Sequence, residues 1–197
     1  LTKHLSRTRA AALPNVITLV RLAMVVPVVV LTRCSSFGPL ALASVLFAIA
    51  AVGDWLDGHL ARRLRAQSRL GALLDPVADK LMFLSVLFVF VVRDVVPLWL
   101  ALLNLARELL VSALRHGLSS PDHVVGANWM GKTKFALQVC VVELAYLHLL
   151  AGAAGWGLPG GRPLVVWALI AVTAVSFAFL LNFCRWHKGE LVDTRQT

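Results

Sequence analysis

The stretch GDWLDGHLARR, residues 53–63, closes an apolar run over 41–52 that reads as membrane-spanning. It puts Asp54 and Asp57 three residues apart, then Arg62 and Arg63, where hydrocarbon would continue. A charge near the bilayer centre costs on the order of 3 kcal/mol even on the lenient insertion scale. Residues that expensive need either a compensating partner or a function.

Working outward, the chain is 59% hydrophobic and only 15% charged, against about 25% charged in a soluble domain. The apolar residues fall into six blocks: Val16–Thr32, Phe37–Leu60, Leu70–Val92, Val95–Leu114, Phe135–Ala154 and Leu164–Cys184. Each approaches the roughly 20 residues that a helix needs to cross a bilayer, and open strands cannot satisfy their backbone in lipid. The sequence therefore predicts an all-α polytopic membrane protein of six transmembrane helices. The first block lacks a small-residue cleavage site and is followed by further blocks, so it reads as a span and not as a cleaved signal. Leu1–Leu13, basic with scattered apolar residues, predicts a short amphipathic helix on the membrane surface. The expected organisation is a juxtamembrane segment 1–13, a six-helix domain 14–186 and a tail 187–197.

The formal net charge is +9. With no soluble reading module in the chain, this excess points to membrane topology and away from nucleic acid. Lys3, Arg7 and Arg9 precede the first block; Arg62, Arg63, Arg65 and Arg69 lie between the second and third. Arg115, Lys132 and Lys134 lie between the fourth and fifth, and Arg185, Lys188 and Arg195 follow the sixth. The other connections hold one each: Arg33, Arg93 and Arg162. By the positive-inside rule both termini face the cytoplasm, across the plasma (inner) membrane. Cys34, Cys140 and Cys184 have no metal-ligand spacing and read as small apolar residues.

This orientation places Asp54 and Asp57 at the cytoplasmic end of the second span. The third span opens with RLGALLDPVADK, where Asp75 and Asp79 lie one helical turn apart. Any one aspartate is explained by a cap or a neighbouring arginine. Two pairs on consecutive helices repel, and Arg62, Arg63 and Lys80 compensate them less well than compact divalent cations do. Oxygen-only ligands select a hard ion, Mg²⁺ with Mn²⁺ or Ca²⁺ as alternatives, and that chemistry is phosphoryl transfer. Gly58, Ala61 and Gly71, among these charges, serve either close helix packing or a ligand lying against the backbone.

Asp54, Asp57, Gly58, Ala61, Arg62, Gly71, Asp75 and Asp79 match D-x2-D-G-x2-A-R-x8-G-x3-D-x3-D without a mismatch, and in this the chain resembles the CDP-alcohol phosphotransferase family. The resemblance implies displacement of CMP from CDP-diacylglycerol by an alcohol hydroxyl. It implies that Asp54, Asp57 and Asp75 ligate two divalent cations, with Asp79 completing the metal site and acting as general base. Gly58 and Ala61 leave space for cytidine, Arg62 contacts donor phosphate, and Gly71 belongs to the same donor-binding set. Many members are homodimers, so a homodimer is expected.

LPNVITLVR at 13–21, ARELLVSALR at 106–115 and WMGKTKFALQ at 129–138 resemble the phosphatidylglycerophosphate synthases of that family. Phe135 departs from them, standing where a small hydroxyl residue is expected. Glycerol 3-phosphate, the acceptor so implied, is a small dianion that needs cations beyond those serving the donor. Arg107, Arg115, Lys132 and Lys134 supply them. The alternative is that Arg115, Lys132 and Lys134 are topology charges, and that Arg107 pairs with a carboxylate such as adjoining Glu108. The rival functions are a cardiolipin synthase or an inositol-phosphate-type transferase. A carboxylate-lined channel would leave the spacing of Gly58, Ala61 and Arg62 unexplained. His59 occupies a variable position, His148 reads as packed or interfacial, and Glu143 as a helix–helix hydrogen-bonding partner. The 119–128 connection covers the site or merely links two spans.

Overall fold

The computed structural model describes residues 19–64, 69–118 and 129–186, with side chains for 19–53, 80–114 and 131–185. All secondary structure among these residues is helical, in six segments. The first, α1, is described over 19–33. Then follow α2 (Phe37–Leu64), α3 (Arg69–Val92), α4 (Leu98–Leu118), α5 (Trp129–Ala153) and α6 (Gly161–Trp186). The amphipathic helix expected over Leu1–Leu13, the 119–128 connection and the tail 187–197 lie outside the described residues.

Within the described residues each apolar block falls on one helix apart from its ends, and several helices outrun their blocks. α5 begins at Trp129 instead of Phe135, which puts Lys132 and Lys134 on its first two turns. Hydropathy marks where side chains prefer lipid, whereas a helix continues until its backbone hydrogen bonds are closed off. The converse error occurs at Val95. The Val95 and Val96 amides both donate to the Phe90 carbonyl, at 2.9 and 3.2 Å, while Asp94 adopts φ 58°. This left-handed residue closes α3, so Val95 and Val96 finish the third helix and α4 starts at Leu98. Gly155, at φ 76°, plays the same part after α5.

Polar contacts tie three connections together at one end of the bundle. Arg93 Nη1 donates to the Thr32 carbonyl at 2.9 Å and also to that of Cys34. Arg162 Nη2 lies 3.9 Å from Asp94 Oδ1. The connections after α1, α3 and α5 therefore meet. Helices of 21 to 28 residues span more than ~30 Å, so the segments around Leu64, Arg69, Leu118 and Trp129 lie at the opposite end. Antiparallel up-and-down order follows.

Inside, α5 packs against α2, α3 and α6, and α4 packs against α3 and α6. Tyr146 is fully buried. Its ring meets Phe90 edge-on, centroids 5.2 Å apart, and Phe47 at 6.3 Å. Thr32 gives its one hydroxyl proton to the Val28 carbonyl, so the Tyr146 hydroxyl donates to Thr32 Oγ1 at 2.7 Å. The outside is apolar too: Leu42, Val45, Ile49 and Val52 follow one another at helical spacing along α2, all about half exposed or more. An exterior of that kind marks contact with lipid. Trp99, Trp156 and Trp167 project near the end formed by the three connections, as aromatic side chains do at a membrane interface. Among the described residues two stretches are long and apolar enough to cross a membrane, Gly131–Ala153 and Gly161–Arg185, with shorter apolar helices at Phe37–Gly53 and Lys80–Val92.

Candidate active site

Asp54, Asp57, Gly58, Ala61 and Arg62 fall on the last three turns of α2, and Gly71, Asp75 and Asp79 on the first three of α3. The backbone is helical at all eight positions. Positions 54 and 57 therefore share one helix face, and positions 75 and 79 share another. Their side chains lie outside those described, as does that of Arg115. Chemically the four carboxylates form a hard-oxygen set of the kind that holds Mg²⁺ or Mn²⁺.

The described part of this end centres on Glu108. Its side chain is 6% exposed, yet Oε1 receives three donors. Arg107 Nη1 reaches it at 2.9 Å, Gln138 Nε2 at 3.1 Å, and Lys134 Nζ also donates to it. Arg107 continues to the Ser176 carbonyl on α6 at 3.4 Å. One carboxylate thus gathers donors from α4 and α5, and Arg107 extends the cluster to α6. α4 and α5 are not among the closely packed helix pairs of the described residues, and these long side chains link them.

The cluster is held in register with the aspartate-bearing helix. Ser112, one turn beyond Glu108, donates its hydroxyl to the Glu108 carbonyl at 2.7 Å. Lys80 Nζ donates in turn to Ser112 Oγ. Lys80 directly follows Asp79 in α3, so the Glu108 cluster lies within about two helical turns of the depth of Asp79.

Of the four residues expected to bind the acceptor, the structure gathers Arg107 and Lys134 on Glu108 and leaves Lys132 exposed on α5. The pairing of Arg107 with a carboxylate, one of its two sequence readings, is present, and the partner is its neighbour Glu108. Sequence reasoning did not assign Glu108 or Gln138 to the site. Gln138 lies one turn beyond Lys134 on α5, and that i, i+4 relation was the available signal. Arg21 on α1 is 6% exposed and was placed by motif alone. Glu143 is a helix–helix partner, accepting from Ser44 Oγ at 2.6 Å. His148 is packed: a Cβ added at Gly161 would stand 2.4 Å from its Nδ1.

Residues 11–180 match the sequence model of the CDP-alcohol phosphatidyltransferases. The chain belongs to this family. Members are integral membrane enzymes, in general dependent on divalent metal, and the hard-oxygen set on α2 and α3 agrees with that requirement. Among curated relatives, a Pectobacterium atrosepticum protein named CDP-diacylglycerol–glycerol-3-phosphate 3-phosphatidyltransferase is 40% identical, over 87% of this chain and 88% of its own length. A Bacillus subtilis protein of the same name is 36% identical over 70% of this chain and 78% of its own. A Streptomyces coelicolor protein named cardiolipin synthase (CMP-forming) is also 36% identical, over 81% of this chain and 80% of its own. This CDP-alcohol phosphatidyltransferase thus has relatives named for two different activities.

Proposed function

We propose that this CDP-alcohol phosphatidyltransferase moves the phosphatidyl group of CDP-diacylglycerol to glycerol 3-phosphate, giving phosphatidylglycerophosphate and CMP. In this reading the domain comprises six spans over 14–186, with the site and both termini facing the cytoplasm. The observation that carries the choice of acceptor is the link from Lys80, beside Asp79, through Ser112 to the Glu108 cluster. This link, within about two helical turns of the depth of Asp79, supports a reading in which Arg107 and Lys134 serve a small phosphorylated alcohol.

Asp54, Asp57, Asp75 and Asp79 would hold two divalent cations. When bound, these supply neutralisation of the donor pyrophosphate and of the departing CMP. Gly58 and Ala61 leave room for cytidine, Arg62 meets donor phosphate oxygens, and Gly71 completes the donor surface. Asp79 accepts the proton of the attacking hydroxyl; a carboxylate surrounded by cations stays ionised and able to do so. Arg107 and Lys134, with Arg115 and Lys132 toward the cytoplasm, hold the acceptor phosphate. Lys134 acts as a point charge and the arginines as planar forks. In this reading the site opens to water on the cytoplasmic side, which lowers the cost of placing charges near lipid.

The Streptomyces relative supports a second reading in which the acceptor is phosphatidylglycerol. One experiment separates the two. CMP release by the purified protein in detergent, with CDP-diacylglycerol and Mg²⁺, is compared for glycerol 3-phosphate, phosphatidylglycerol and inositol phosphate. Release that depends on glycerol 3-phosphate supports the first reading. Release with phosphatidylglycerol alone replaces it by the second.

A further inference from the structure

We propose that Glu108 is the positioning residue of the acceptor site, holding Lys134 and Arg107 as a pre-assembled pair of cations for the acceptor phosphate. The proposal rests on the reading of glycerol 3-phosphate as acceptor. It concerns a carboxylate that on charge alone is out of place, because a negative group beside an anion's binding site repels the anion.

Geometry explains its presence. Lysine and arginine side chains are long and lose rotamer freedom when held in one place. Here both meet at one oxygen atom, Oε1 of Glu108, with Arg107 held also by the Ser176 carbonyl. Gln138 braces that oxygen from the next turn of α5, at 3.1 Å. Glu108 is also anchored through its own backbone, since Ser112 binds its carbonyl and Lys80 binds Ser112. The carboxylate is therefore fixed in depth relative to α3 and passes that depth to the two cations. It does so between α4 and α5, which are not among the closely packed pairs of the described residues. The Lys134 side chain is 15% exposed against 5% for Arg107, so Lys134 is the less deeply buried of the two. Without Glu108 the two like charges would separate, and the acceptor phosphate would lose its pre-assembled pair of cations. Acceptor binding then weakens, because two long side chains must be ordered anew each time an anion enters.

The test is steady-state CMP release by the full chain in detergent. Glycerol 3-phosphate and CDP-diacylglycerol are titrated separately for wild type, Glu108→Gln, Lys134→Met and the double variant. Wild-type dependence on glycerol 3-phosphate checks the parent reading before any variant is compared. If wild type ignores glycerol 3-phosphate and uses phosphatidylglycerol, both that reading and this proposal fall. Given the dependence, Glu108→Gln is expected to raise the KM for glycerol 3-phosphate about tenfold, the scale of one hydrogen bond to a charged group, with the KM for CDP-diacylglycerol unchanged. In the Lys134→Met background the same change is expected to add little, because the residue it positions is gone. A fall in the glycerol 3-phosphate KM would make Glu108 a brake on anion binding and overturn the proposal. So would full additivity in the double variant, or a loss confined to kcat and thermal stability. Gln138→Leu provides a second line if Glu108→Gln does not fold. It is expected to raise the same KM to a smaller extent, and an unchanged KM there overturns the proposal.

Discussion

At the end of the bundle where the connections after α1, α3 and α5 meet, the polar groups satisfy helix ends and one another. Arg93 covers the last carbonyls of α1, Asp94 turns the chain out of α3, and Tyr146 satisfies Thr32 within an aromatic cluster. At the opposite end, donors from α4 and α5 converge on one buried carboxylate, and four further aspartate positions lie on α2 and α3. The first end removes polar groups from lipid as economically as the chain allows. The second accumulates them, in keeping with the proposed site. Substitutions should therefore change stability at the first end and catalysis at the second.

The largest effect is expected from Asp79→Asn. Loss of the proton acceptor should lower CMP release by about 10²–10⁴-fold, the range of a general base. Removing one of four mutually repelling charges should leave the thermal midpoint in detergent unchanged or raised. A lowered midpoint with activity retained would reverse the roles assigned to the two ends.

Tyr146→Ala is the counterpart. Lipid is as apolar as the interior, so the loss is mainly packing, and about 2 kcal/mol or more of stability should go with the emptied volume. Both KM values of the folded fraction should stay as in wild type. Tyr146→Phe sharpens this by keeping the ring. Thr32 retains its bond to the Val28 carbonyl, so the change should cost only about 0.5–1.5 kcal/mol, the net value of one hydrogen bond. Denaturant titration in detergent resolves both.

A comparably small effect is expected from Gly161→Ala, whose Cβ would meet His148 Nδ1 at 2.4 Å. The imidazole must move aside, for about 1 kcal/mol of overpacking. Adding His148→Ala should restore the thermal midpoint. A midpoint that stays low in the double variant would show that the strain lies in the backbone at the start of α6.

The structure also shows which sequence signals were reliable. Apolar blocks located all six helices because each is one run of neighbouring residues. They misplaced helix ends wherever a polar turn remained helical, as at Trp129–Lys134, or where apolar residues served a cap, as at Val95 and Val96. The aspartate positions were legible from spacing, since i, i+3 and i, i+4 relations are local on a helix. Glu108 was passed over because beside Arg107 it looked like a simple neighbouring counter-ion.

By itself, then, the sequence determined the helical class, the apolar character, the family and the two acidic pairs. All of these follow from short-range pattern or from a motif confined to Asp54–Asp79. Tertiary structure alone decided that Lys134 and Gln138, 26 and 30 residues from Glu108, reach the same oxygen, and that Lys80 and Ser112 fix its depth. Such a meeting depends on how far each helix is translated along its neighbours. A helical repeat specifies which face a residue occupies, but not the height at which it meets another helix.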